Sequence, residues 1–133
     1  MEILPDLSLC LLPAQDGADL SPCLAALVAC TDPLSLDIFV GRGAKCGAFQ
    51  YSVHLQLLDP SRPGASSFVE EAWQYAKGRY FAIWKSEVMA SPASLFTLIE
   101  FLDDHPDVAV AGPRFFNDHG DILATAFERR IVL

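Results

Sequence analysis

The sequence contains no apolar run approaching the ~18 residues that a membrane span requires, so no span is expected. No basic stretch precedes the apolar segment Leu7 to Leu12, which therefore does not read as a secretory signal. The four cysteines, Cys10, Cys23, Cys30 and Cys46, form no C-x-x-C pair, and the usual spacing for zinc or for thioredoxin-type chemistry is missing. Helical spacing would hold Cys23 and Cys30 about 10 Å apart, too far for a disulfide. The expectation is reduced, mostly buried thiols in a cytoplasmic protein. Basic residues are scarce as well, with 9 Lys and Arg against 17 Asp and Glu and a net charge of −8. A polyanion needs a basic face, so a nucleic-acid partner is excluded from the expectations. No G-x-G-x-x-G follows the first apolar segment and no G-x-x-x-x-G-K-[ST] exists, which removes the Rossmann dinucleotide fingerprint and the P-loop. There is no G-x-S-x-G elbow, and His54, His105 and His119 are not spaced as metal ligands.

What is present is a hydrophobic chain of ordinary domain size. Its 133 residues are 52% hydrophobic and 20% charged, which excludes disorder by composition. The expectation is a single domain over residues 1–133, long enough to bury a core without a disulfide or metal staple.

Strand and helix patterns alternate along it. Leu7 to Leu12 is nearly continuous in apolar residues and ends at Pro13, as in a strand buried on both faces. Ser21-Pro22 predicts a helix start, with Ser21 as cap, and Leu20, Leu24, Leu27 and Val28 recur at helical spacing. Leu36 to Val40 predicts a second strand running into Gly41-Arg42-Gly43-Ala44-Lys45-Cys46-Gly47, the most glycine-dense stretch. In Ser52 to Leu58, Val53, Leu55 and Leu57 alternate with polar residues, a half-exposed strand pattern. Ser67-x-x-Glu70 reads as a capping box for a helix that places Val69, Ala72, Trp73 and Ala76 on one face and stops at Gly78. Tyr80 to Trp84 predicts a buried strand, and both tryptophans are placed in the core. Ser91-Pro92 opens a third helix, striped by Leu95, Leu98, Ile99 and Leu102 and ended by His105-Pro106. Val108 to Ala111 predicts a further strand, and Asn117 to Asp121 a turn between two more. The order β-α-β-β-α-β-α-β with a C-terminal hairpin predicts an α/β fold: a three-layer sandwich with a mostly parallel sheet and helices on both faces.

In such sheets ligands bind outside the carboxyl ends of the strands. Three loops qualify: Pro13 to Asp19, Gly41 to Gly47, and Lys85 to Ser91. In the second, backbone N–H groups, Arg42 and Lys45 are candidates to hold an anion, against the plainer reading of a turn with solvated charges. In the third, Lys85 and Glu87 are two apart and share a strand face, either toward a cleft or as a surface ion pair.

From Phe68 to Arg130 the order and spacing resemble family-2 glycosyltransferases of the GT-A fold. Ala76-Lys77-Gly78-Arg79-Tyr80-Phe81 is similar to the family's A-x-G-x-Y approach to its central strand. Ser86-Glu87-Val88 follows where the family places its aspartate motif, and Pro106-Asp107-Val108 looks like the end of its following helix. Gly112-Pro113-Arg114-Phe115-Phe116-Asn117-Asp118-His119-Gly120 is similar to its glycine-bounded hairpin. More loosely, Leu7 to Pro13 and Ser21 to Pro33 stand where the family has its first strand and helix. The resemblance implies a Rossmann-like nucleotide-diphospho-sugar transferase type of fold. It also implies a nucleotide-sugar ligand near Pro13, Ala14, Gly41, Arg42, Gly43 and Lys85.

The departures fall on the family's catalytic positions, so no catalytic residue is assigned. Gly41 stands where the family usually ends its second strand with a base-reading aspartate. Glu70 and Ala72 stand at its Asn and Gly, and Lys85-Ser86-Glu87 replaces its D-x-D metal motif. In that motif carboxylates hold Mg²⁺ or Mn²⁺ against the diphosphate. Glu87 remains a candidate ligand for such a cation if the donor site is functional, whereas Lys85 would repel it or neutralise the diphosphate directly. In the family the base and acceptor region follow the hairpin, and here only Ile131-Val132-Leu133 follow Arg129-Arg130. The expectation is a glycosyltransferase-like domain with impaired catalysis that binds a nucleotide-sugar or a partner weakly. It is either a fragment of a longer protein or a reduced stand-alone relative. Two alternatives stay open: an active nucleotide-sugar-dependent glycosyltransferase completed by a longer chain or a partner, and an unrelated small α/β interaction module. Apolar Phe127 and Ile131 to Leu133 suggest a homodimer that covers the C-terminal edge.

Overall fold

The computed structural model describes residues 4–30, 34–88, 91–109, 111, 115–116 and 122–123. The chain falls into two compact units, Met1–Ala93 and Ser94–Leu133. The first holds β1 (Leu7–Leu12), α1 (Ser21–Val28), β2 (Leu36–Gly41), a 3-10 turn (Gly47–Tyr51), β3 (Leu55–Leu58), α2 (Ala65–Tyr75) and β4 (Tyr80–Lys85). Helix α3 (Pro92–Asp104) runs into the second unit, where β5 (Phe115–Phe116) and β6 (Ile122–Leu123) pair antiparallel. The expected turn between them and the apolar C-terminal edge lie outside the described residues. No helix among the described residues is long and apolar enough to cross a membrane.

The four strands of the first unit form one sheet in the order β3-β2-β1-β4, with all three pairings parallel. An all-parallel sheet needs cover on both faces, and its inner strands read as apolar runs for that reason. Leu7, Ser8, Leu9, Cys10 and Leu11 of β1 are all buried, as the sequence pattern predicts. On one face Cys10, Phe39 and Leu58 pack with Phe68 and Ala72 of α2, and Leu12, Val69, Ala76 and Phe81 close around them. The opposite face carries Leu9, Leu11, Ile38 and Val40, each fully buried. Burial of side chains of this size contributes about 1.5–3 kcal/mol each. Trp84 is in register with Leu11 and shares its face. Its indole N–H donates to the Val88 carbonyl (2.8 Å), which also accepts from the Cys23 thiol of α1 (3.5 Å). Helices α1 and α2 therefore cover opposite faces, the arrangement that right-handed crossovers impose when the chain moves first one way along a sheet and then back.

All four cysteines are free and buried, and desolvation pushes the thiol of Cys10 up to about 12 and that of Cys23 to about 11.

Several local expectations are corrected. Leu20, not Ser21, is the N-cap of α1, and no side chain caps the helix from that position. Asp19 does that work instead, accepting the Ser21 N–H at 3.0 Å. The Ser67-x-x-Glu70 capping box is not formed. The N-cap of α2 is Gly64, so Ser67 already lies inside the helix, and Glu70 pairs with Arg62 at 3.7 Å. Helix α2 ends at Tyr75, and Gly78 has a different use. Its N–H donates to the buried Ser8 hydroxyl at 2.9 Å, and a Cβ on it would stand 2.5 Å from the Ser8 backbone N.

Trp73 is 64% exposed rather than in the core, with its ring edge-to-face on Phe81 at 5.2 Å. Strand β4 is only partly buried, with Ile83 54% exposed. Strand β3 begins at Leu55 and does not follow the expected alternation throughout: Leu55 is half-buried and Gln56 exposed, but Leu57 is exposed and Leu58 buried, and Val53 is exposed ahead of the strand. The strand predicted at Val108 to Ala111 is not formed at Val108 and Ala109. The Val108 N–H instead closes a turn onto the His105 carbonyl at 2.9 Å, and Val110 lies outside the described residues. His105 does end α3, stacked on Phe101 with its Nδ1 2.8 Å from the Phe101 carbonyl oxygen.

Candidate functional site

The strand order defines where a ligand can enter. From β1 the chain moves outward through β2 to β3, then returns to place β4 on the other side of β1. The strand order thus reverses between β1 and β4, the position at which parallel α/β sheets commonly place a ligand. Pro13 and Ala14 follow β1 directly, and Lys85 is the last residue of β4. Two hydrogen bonds hold these ends together. The Ser86 N–H donates to the Leu12 carbonyl at 2.9 Å, and the Ala14 N–H donates to Ser86 Oγ at 2.8 Å. Lys85 and Glu87 are both exposed at this rim.

Of the residues singled out from sequence, the structure brings Pro13, Ala14 and Lys85 to one place. The glycine-rich loop is used otherwise. Its Gly41–Ala44 segment is a turn closed by the Ala44 N–H on the Gly41 carbonyl (3.1 Å), and Gly43 sits at φ +86°, a value side-chain-bearing residues seldom adopt. The Arg42 N–H donates to the Leu58 carbonyl (2.7 Å) and its guanidinium pairs with Asp59 at 3.6 Å. Arg42 is therefore drawn toward β3 and away from the carboxyl ends of β1 and β4.

Lys45 goes the other way. It forms a parallel bridge with Asp19, and the Leu20 N–H donates to its carbonyl at 2.8 Å. A Cβ on Gly17 would stand 3.9 Å from the Lys45 ammonium. The Asp19 carboxyl is held below its ordinary range, mainly by the Ser21 N–H, then by the Ser21 side chain, with the Lys45 charge adding. The loop after β1 is thus flanked by Lys45 on one side and by Lys85-Ser86 on the other.

A divalent cation does not fit these residues. Mg²⁺ and Mn²⁺ want several oxygen donors. Glu87 is the single carboxylate of the Lys85-Ser86-Glu87 segment, and the lysine beside it carries the wrong sign. Among the described residues no group of three His, Cys, Asp or Glu is placed to hold a metal. An open groove of about 340 Å³ lies elsewhere, beyond the carboxyl end of β3 and along α2, rimmed by Asp59, Arg62, Glu70 and Glu71. Its carboxylates oppose a phosphate ligand.

Sequence reasoning passed over two polar contacts. Ser86 joins Ala14 across 72 positions, and Asp37, buried on β2, accepts from the Gln56 side chain of β3 at 2.7 Å. Neither pairing has a local signal, because both depend on strand register. Compared with known proteins, the chain matches no protein-family model and no curated protein sequence.

Proposed function

We propose that this chain is a glycosyltransferase-like domain that holds a nucleotide-sugar weakly at the carboxyl ends of β1 and β4, without a metal, and does not itself transfer the sugar. The observation that supports this reading is the reversal of the parallel sheet between β1 and β4, which falls on Pro13-Ala14 and on Lys85-Ser86-Glu87. Those are the segments that resemble the donor-side motifs of the family. A backbone N–H at Ala14 and the ammonium of Lys85 suit the phosphates of the ligand. The missing carboxylates deprive a transfer reaction of the cation that would stabilise the leaving diphosphate.

Isothermal titration with UDP- and GDP-sugars, with and without Mn²⁺, tests this. Binding is expected to be weak and unchanged by the metal. Tight, Mn²⁺-dependent binding would establish the active enzyme instead. No binding under any condition would remove the nucleotide-sugar ligand and leave an interaction module.

A further inference from the structure

We propose that the Ser86 hydroxyl is an internal competitor for a ligand at the carboxyl ends of β1 and β4 and keeps this site in a low-affinity state. This rests on reading those strand ends as a binding site. The argument comes from the hydrogen-bond ladder. Leu12 and Lys85 are the last register pair of β1 and β4, and the Ser86 N–H continues the ladder onto the Leu12 carbonyl at 2.9 Å. In a parallel ladder the next donor of that row, the Ala14 N–H, would meet the backbone carbonyl of Ser86. It meets Ser86 Oγ instead, at 2.8 Å.

The strands part at this point, and a side-chain oxygen spans the gap. Pro13 carries no N–H, so Ala14 supplies the first backbone donor beyond β1. That donor is directed at the side-chain oxygen of the residue that follows Lys85, whose own side chain is exposed. An anionic oxygen there would accept the same N–H in a charge-assisted bond, stronger than one to a neutral hydroxyl. To bind, it must first displace Ser86.

Removing the hydroxyl is therefore expected to raise affinity, the reverse of what loss of a ligand-binding residue does. The probe is inorganic pyrophosphate, titrated calorimetrically and followed by the amide resonance of Ala14. Ser86→Ala is expected to tighten binding about 3- to 10-fold, the worth of one exchanged neutral hydrogen bond, with the Ala14 amide shifting on titration. Ser86→Thr keeps the hydroxyl and is expected to behave as the unaltered chain. Ser86→Cys keeps the volume with a poor acceptor and is expected to gain in the same direction, which serves if the alanine variant folds poorly. Equal or weaker affinity in the alanine and cysteine variants overturns the proposal, including the case where neither they nor the unaltered chain binds. So does a gain that leaves the Ala14 amide unmoved. A UDP-sugar arm separates the two readings: a gain for pyrophosphate with no response to the sugar nucleotide leaves Ser86 as a competitor and refutes the nucleotide-sugar ligand.

Discussion

The two ends of the parallel sheet are both tied by polar contacts, yet they are built differently. At the amino end two contacts are largely withdrawn from water, while those of the Asp6 carboxylate stay solvent-accessible. Ser8 is fully buried and accepts from Gly78, and Asp37 is nearly so and accepts from Gln56. Asp6 gathers three strand starts: its carboxylate accepts the Ser35 N–H at 2.9 Å and pairs with Arg79 at 3.6 Å, and its carbonyl accepts the Tyr80 N–H at 3.3 Å. At the carboxyl end the corresponding contacts, Ala14 to Ser86, Asp19 to Ser21 and Arg42 to Asp59, are exposed. A buried hydrogen bond is costly to break because the orphaned group cannot return to water. An exposed one is exchanged at little cost, for water or for a ligand. The amino end therefore holds the sheet in register, and the carboxyl end is the one free to respond to a ligand.

That contrast can be broken by substitution. The largest effect is expected from Gly78→Ala, whose methyl would collide with the backbone of Ser8; a loss of about 2–3 kcal/mol in urea unfolding is expected. An unchanged midpoint would show that the amino end is more plastic than its packing implies.

A smaller effect, with a definite pH dependence, is expected at Asp37. Desolvation raises its carboxyl above the ordinary value, against the pull of the Gln56 hydrogen bond and the Lys77 charge. A group raised in the folded state contributes stability that is fully present below its unfolded pKa, about 3.9. That contribution is lost as the pH rises through the folded value. Asp37→Asn keeps an oxygen for Gln56 without the charge. The variant is expected to be more stable than the unaltered chain at neutral pH, with the gap closing as the pH falls toward 4. Unfolding midpoints across that range measure it, and a gap independent of pH would remove desolvation as the cause.

The smallest effect sharpens the contrast from the other side. Lys85→Ala at the carboxyl end is expected to change stability by no more than about 0.5 kcal/mol while weakening pyrophosphate binding. A large loss of stability there would erase the distinction between the two ends.

Much of the fold was legible because hydrophobic periodicity is a local signal. The continuous apolar run of Leu7 to Leu12 marks a strand buried on both faces, and the recurrence of Leu24 and Leu27 marks the buried side of α1. Local signals misled where a stronger neighbour prevailed. Gly64 starts α2 ahead of Ser67, so the capping box never forms. Trp73 has the spacing of a core residue but is mostly exposed, touching the sheet through the Phe81 ring. The candidate site was legible only in part. Placing ligands at strand ends brought attention to Pro13, Ala14 and Lys85, which lie together, while nothing local to the glycine-rich loop announced that Arg42 pairs with Asp59, seventeen positions away in sequence and beside it in space.

The sequence alone determined the alternation of strands and helices and the central burial of the first strand, because each follows from residue type and near-neighbour spacing. Only the tertiary structure decided that β4 returns beside β1, that Ser8 meets Gly78, and that Ser86 claims the Ala14 N–H. Those outcomes depend on crossover direction and strand register, which bring together residues some 70 positions apart and which no local pattern encodes.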